Sequence, residues 1–65
     1  MRLCDFLNLY DTALGQIVVN VYDNIDVAYY ARLEDAKAGM YWNNEVLSFG
    51  FFNDTLHVRI GDEKE

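Results

Sequence analysis

One histidine, one cysteine and two adjacent pairs of carboxylates are the residues here whose types could do chemistry. His57 has no second histidine or cysteine at ligand spacing, and beside Arg59 and across from Gly50 it reads as a surface residue. Cys4 stands next to Asp5 with no base adjoining it in sequence, so nothing activates the thiol, and it reads as a small apolar filler at a helix start. Glu34 with Asp35, and Asp62 with Glu63, are sequence neighbours. Carboxylates that divide acid and base work must instead oppose each other across a cleft, and a solvated helix start and a charged tail account for both pairs. Four glycines form no phosphate-cradling loop, and there is no Cys-x-x-Cys to frame a zinc ion. The expectation is therefore a non-enzyme without cofactor, metal or catalytic site.

Sixty-five residues make a single domain, read as 1–60 with a charged, frayed tail over 61–65. A chain this short buries only roughly 60% of the surface its unfolded form exposes, and usually leans on disulfides, a metal or self-association. A single cysteine closes no internal disulfide and points to a reducing cytoplasm. No apolar run approaches the ~20 residues of a membrane span, and the first residues lack the apolar stretch of a secretory signal. Eleven acidic residues against five basic give a net charge of −6, which repels phosphate backbones and excludes direct nucleic-acid binding. That charge suits plain solubility, or docking into a basic groove on a partner that would otherwise hold nucleic acid.

The elements follow from periodicity. Leu3, Phe6, Leu7 and Tyr10 fall at i, i+3, i+4 and i+7, one stripe of a short amphipathic helix, and Gly15 turns the chain toward a strand. Residues 16–22 alternate Ile17, Val19 and Val21 with Val18, Asn20 and Tyr22, and residues 27–33 return after a turn over 23–26. A three-residue loop would oppose Val21 with Val27 and Val19 with Tyr29. A two- or four-residue loop would oppose Val19 and Val21 with Tyr30 and Ala28. The first is preferred because it keeps Arg32 out of the core. A second helix opens at Glu34 with acidic residues in its first turn, directs Ala36 and Met40 at the sheet, and stops at Asn43 and Asn44.

Residues 45–60 organise the rest as a hairpin turning at Asn53 and Asp54, a pair tolerant of positive φ. That turn pairs Phe52 with Thr55, Phe51 with Leu56, Phe49 with Val58 and Leu47 with Ile60. Leu47, Phe49, Phe51, Leu56, Val58 and Ile60 then form one apolar wall, in which truncating Phe49 to alanine would cost roughly 3–5 kcal/mol. The fold class expected is α+β: a two-layer sandwich of two short helices on a four-stranded antiparallel sheet, in the order α-β-β-α-β-β. The uncovered face would hold Val18, Tyr22, Tyr30, Val46 and Phe52 with Asn20, Ser48, Thr55, His57, Arg32 and Arg59, the composition of an interface core. Trp42 and Tyr41 either extend that patch or bury into the core.

The run Val21-Tyr22-Asp23 into a turn, the returning strand and short helix, Glu45-Val46-Leu47-Ser48-Phe49 and Asp54-Thr55-Leu56-His57-Val58-Arg59-Ile60 together resemble small proteins encoded by phages and prophages of Gram-positive bacteria. Many of these also begin with a leucine and an Asp-Phe-Leu cluster like Asp5-Phe6-Leu7. The resemblance covers core and turn positions over most of the chain and departs at Ala38-Gly39-Met40-Tyr41-Trp42. It implies a small accessory protein of the host-cell cytoplasm, in a setting where inhibitors of host defence such as anti-CRISPR proteins are prominent. The expected function is a non-catalytic module that binds a host protein, such as a nucleic-acid-handling CRISPR effector. Two routes are open: Asp23, Asp26, Glu34, Asp35 and Asp54 imitating phosphates, or Tyr22, Tyr30, Trp42 and Phe52 anchoring an aromatic contact. The alternative is a small structural or assembly protein acting by homo-oligomerisation, and a homodimer fits either reading.

Overall fold

The computed structural model describes residues 1–63; the final two positions of the expected tail lie outside them. The chain runs α1 (Leu3–Leu7), a 3-10 turn (Thr12–Leu14), β1 (Val18–Tyr22), β2 (Val27–Tyr30), α2 (Leu33–Ala38), β3 (Asn44–Phe52) and β4 (Thr55–Glu63). This is the expected α+β order. The charged segment beyond Ile60 is in part strand, since Glu63 still pairs with Asn44. Gly15, at φ 110°, supplies the left-handed residue that lets the chain leave the N-terminal layer for the sheet.

The sheet order is β2-β1-β4-β3. Both hairpins are antiparallel, but they join through a parallel β1–β4 pair, so the sheet is mixed. The strands richest in inward β-branched and aliphatic residues thereby take the centre. Val19, Val21, Leu56, Val58 and Ile60 are buried there with Ile17, under Leu3 and Leu7 of α1 and Leu33 and Ala36 of α2. Phe6 and Tyr10 complete the helical stripe as half-buried residues packed on this cluster.

Several expectations are corrected. The first hairpin has a four-residue turn, and Val19 faces Tyr30 while Val21 faces Ala28. The cause is Asp23: its Oδ1 accepts from the backbone N–H of Ile25 at 2.7 Å and of Asp26 at 2.6 Å, closing residues 23–26 into one unit. Parity then reverses in β2, so Tyr30 points to the core and Tyr29 outward. Leu33 opens α2 instead of ending β2, and Met40 is exposed. Tyr30 packs so closely beside α2 that a side chain at Gly39 would collide with its ring.

The second hairpin turns at Asn53 and Asp54, with φ of 52° and 60°, and pairs Phe52, Phe51 and Phe49 as expected. Beyond them the register shifts on both strands, and Val46, not Leu47, opposes Ile60. The bulge carries Leu47 away from the helical face to lie over Gly61, whose missing Cβ would sit 3.3 Å from its methyls. Val46 turns inward in its place. Phe49 and Phe51 keep the inward parity, yet remain 61% and 63% exposed. α1 reaches nine-residue edge strand β3 only in part, setting Phe6 against Phe49, and leaves most of the Phe49 and Phe51 rings uncovered. Phe49 is therefore not a core residue.

Candidate functional site

Cross-strand pairing fixes the outer face as three rows. Val27, Tyr22, Arg59 and Ser48 form the first; Tyr29, Asn20, His57 and Gly50 the second; Val18, Thr55 and Phe52 the third. Both helices pack on the opposite side, where Leu33, Ala36, Leu3 and Leu7 meet the inward residues of the strands. None of these eleven outer positions is a carboxylate, in a chain with eleven of them. Tyr29 and Phe52 are each 67% exposed and Val27 70%.

The middle row carries the defined polar geometry. Asn20 Nδ2 donates to His57 Nδ1 at 3.2 Å, and His57 Nε2 lies 3.4 Å from the Phe52 carbonyl oxygen. The two contacts are satisfied together by the tautomer that carries its proton on Nε2. The Phe52 ring tilts at 52° to the imidazole, centroids 6.2 Å apart. Asn20, Tyr29, Phe52, Asn53, Thr55 and His57 line an open depression of about 340 Å³. His57 is thus a positioned polar centre between aromatic walls. No group of three His, Cys, Asp or Glu side chains among the described residues is placed to hold a metal ion.

Of the aromatic residues singled out in the sequence, Tyr22 and Phe52 lie on this face. Tyr30 does not: it packs on the core and its outer place is taken by Tyr29. Trp42 is elsewhere, with the Arg2 guanidinium 5.6 Å from its ring centroid and its carbonyl accepting from the Cys4 amide at 2.9 Å. Tyr41 packs against the core. Burial raises its phenol above the ordinary value, and the charges of Asp26 and Asp23 add to the effect.

The five acidic residues are not brought together. Asp23 and Asp26 follow the end of β1, whereas Asp54 precedes Thr55, the partner of Val18 at its start. The two turns therefore sit at opposite ends of the sheet, about 17 Å apart along the strands at ~3.3 Å per residue. An antiparallel β1–β4 junction would have placed them side by side. Asp23 is also committed to its turn, whose two N–H donors hold its carboxyl below the usual range. Glu34 and Asp35 are exposed in the first turn of α2.

Cys4 Sγ lies 3.8 Å from Asp5 Oδ1, and Asp5 is forked by Arg2, Nε to Oδ2 at 3.0 Å and Nη2 to Oδ1 at 3.4 Å. That pairing lowers the Asp5 carboxyl and raises the Arg2 guanidinium. The carboxylate that accepts from the thiol is thus already paired with a guanidinium. Among the described residues no helix is long and apolar enough to cross a membrane. No protein-family model, curated protein or solved structure matches the chain.

Proposed function

We propose that this chain is a non-catalytic protein-binding module whose contact surface is the outer face of its sheet. One observation carries the reading: in a chain of net charge −6, the eleven paired outer positions of the sheet include Tyr22, Val27, Tyr29 and Phe52 around a hydrogen-bonded Asn20–His57 pair, with Arg59 and no carboxylate, Asp23 and Asp62 lying beside Arg59 at the end of that face. Aromatic residues with arginine and few other charges are what interface centres are made of, and the acidic residues around this face form its solvated rim. The aromatic route is favoured over phosphate mimicry because Asp54 lies at the far end of the sheet from Asp23 and Asp26.

The sequence resemblance supplies the setting: a phage-type inhibitor in the host cytoplasm, acting on a defence protein of the kind that handles nucleic acid. The test is capture from host lysate, followed by titration of the purified partner. Tyr29→Ala with Phe52→Ala should weaken binding about a hundredfold or more, since two anchors at ~1.4 kcal/mol or above each lose tenfold apiece. Asp26→Lys with Asp35→Lys, which leaves the Asp23 side chain that closes the turn in place, should change it by no more than a few-fold, and added salt should matter little. The reverse pattern would establish the acidic route instead. Capture of virion proteins alone would establish an assembly role.

A further inference from the structure

The outer edge of β3 is closed at one end only. Arg2 bridges Glu45, and the Val46 amide donates to the Met1 carbonyl at 2.9 Å, so the N-terminal residues occupy the edge as far as the bulge. The next five positions, 48–52, run open to the turn at Asn53 and Asp54. Natural edges are usually protected by charge, proline or further distortion. Ser48, Phe49, Gly50, Phe51 and Phe52 offer none of these.

We propose that this open stretch pairs antiparallel with the same stretch of a second copy, about a two-fold axis at Gly50. This rests on the edge geometry alone and is independent of the outer-face reading. Backbone alternation sets the register. Phe52 and Thr55 flank a two-residue turn and bond to each other, so Gly50 also addresses β4, while Phe49 and Phe51 turn their N–H and C=O groups to the open edge. Pairing Phe49 with Phe51 of the second copy satisfies those groups in both chains. It places Gly50 opposite Gly50 at the non-hydrogen-bonded position, where strands approach most closely, about 4.5 Å between Cα atoms. Nothing in the monomer lies within 4 Å of where a Gly50 side chain would be, so its own fold does not call for glycine there. The five open residues are centred on Gly50, so the stretch matches itself end to end.

The side chains agree with the register. Phe49 and Phe51 of both copies meet on the helical face, beside the apolar hollow lined by Phe6, Leu9, Tyr10 and Leu56. Phe6 already packs on Phe49 at 4.8 Å between centroids, extending the aromatic surface toward the axis. With about 200 Å² per phenylalanine, the exposed parts of Phe49 and Phe51 amount to roughly 250 Å² per copy. Doubled across the axis and joined by the backbone strip, this stays below the roughly 1,200 Å² of standard interfaces, in the range of weak, transient pairs. Such an area fits a weak, concentration-dependent dimer, and the absence of charge in 48–52 removes local repulsion between two chains of net charge −6. The product is one eight-stranded sheet with both outer faces on the same side, presenting the candidate surface twice.

Sedimentation equilibrium should show a monomer–dimer equilibrium that tightens modestly as salt screens the net charge. Phe49→Lys with Phe51→Lys should abolish the dimer while circular dichroism stays native. Hydrogen exchange on the unaltered chain identifies the surface even if that variant fails to fold: the Phe49 and Phe51 amides should become protected as concentration rises. A clean monomer at high micromolar concentration overturns the proposal, as does a dimer in which those two amides remain unprotected.

Discussion

β3 and β4 share one alternation from Ser48 to the turn, yet their inward residues meet opposite environments. On β4, Leu56, Val58 and Ile60 are at most 4% exposed; on β3, Phe49 and Phe51 exceed 60%. The difference lies in what covers each strand. β4 is central, between β1 and β3, beneath the residues that α1 and α2 direct at the sheet. β3 is an edge, and α1 covers it only in part, through Phe6 against Phe49. An alternating pattern establishes which residues share a face, but not that anything covers that face.

The largest expected effect separates the two strands by stability. Leu7 is fully buried over the central pair, and Leu7→Ala should cost about 2–5 kcal/mol through lost transfer energy and a cavity. A chain of this size has roughly 3–10 kcal/mol in total, so the variant should be largely unfolded or close to it. Phe49→Ala should cost only about 1 kcal/mol, the value of its ring contact with Phe6. Urea denaturation of both variants checks the contrast. A Phe49→Ala chain as unstable as Leu7→Ala would place Phe49 in the core after all.

A smaller effect concerns what holds β3 in place. With little burial of its own, the strand depends on its ladder to β4 and on the left-handed pair Asn53 and Asp54. Asn53→Val puts a β-branched residue at φ 52° and should destabilise by about 1–2 kcal/mol. Asp54→Gly should stabilise by up to about 1 kcal/mol, since glycine takes φ near 60° without steric cost. Thermal melts of the two variants should move in opposite directions; equal midpoints would mean the turn contributes nothing to the edge.

This turn was legible because Asn-Asp between alternating apolar runs has a backbone cause in the residues themselves. The α1 stripe was legible for the same reason, since Leu3, Phe6, Leu7 and Tyr10 carry a helical period. Three features were not. The parallel β1–β4 junction depends on which strands the helices cover, which no local window contains. The bulge at Leu47 depends on packing over Gly61. The first hairpin was misjudged by one residue of loop because Asp23 closes the turn with its side chain, and that slip exchanged Tyr29 for Tyr30 at the candidate site. Tyr22 and Phe52 were readable from alternation. The Asn20–His57 contact was not, since it crosses the parallel pair. Asp23 followed by backbone donors at two and three residues on was the available signal for the four-residue turn.

The smallest expected effect compares the two edge strands through their turns. β3 is turned by backbone conformation, which is indifferent to pH; β2 is turned by the ionised carboxylate of Asp23. The N–H donors of Asp26 and Ile25 hold that carboxyl below its ordinary value of 3.8, so the unfolded chain takes up the proton first as pH falls. The turn's contribution is therefore fully present above about pH 5, and is lost as pH drops through 3.8 toward the lower folded value. Asp5, lowered by Arg2, loses stability in the same direction, so the unaltered chain alone does not isolate the turn. The difference between it and Asp23→Ala does. Asp23→Ala should melt lower at neutral pH, and the gap should close on acidification, with amides of β2 exchanging faster than those of β3. Asp23→Asn, which keeps an acceptor oxygen without the charge, should fall between the two and show no closing of its own. A gap that persists unchanged well below pH 3.8 would mean that Asp23 acts through packing, leaving both edges governed by pH-independent turns.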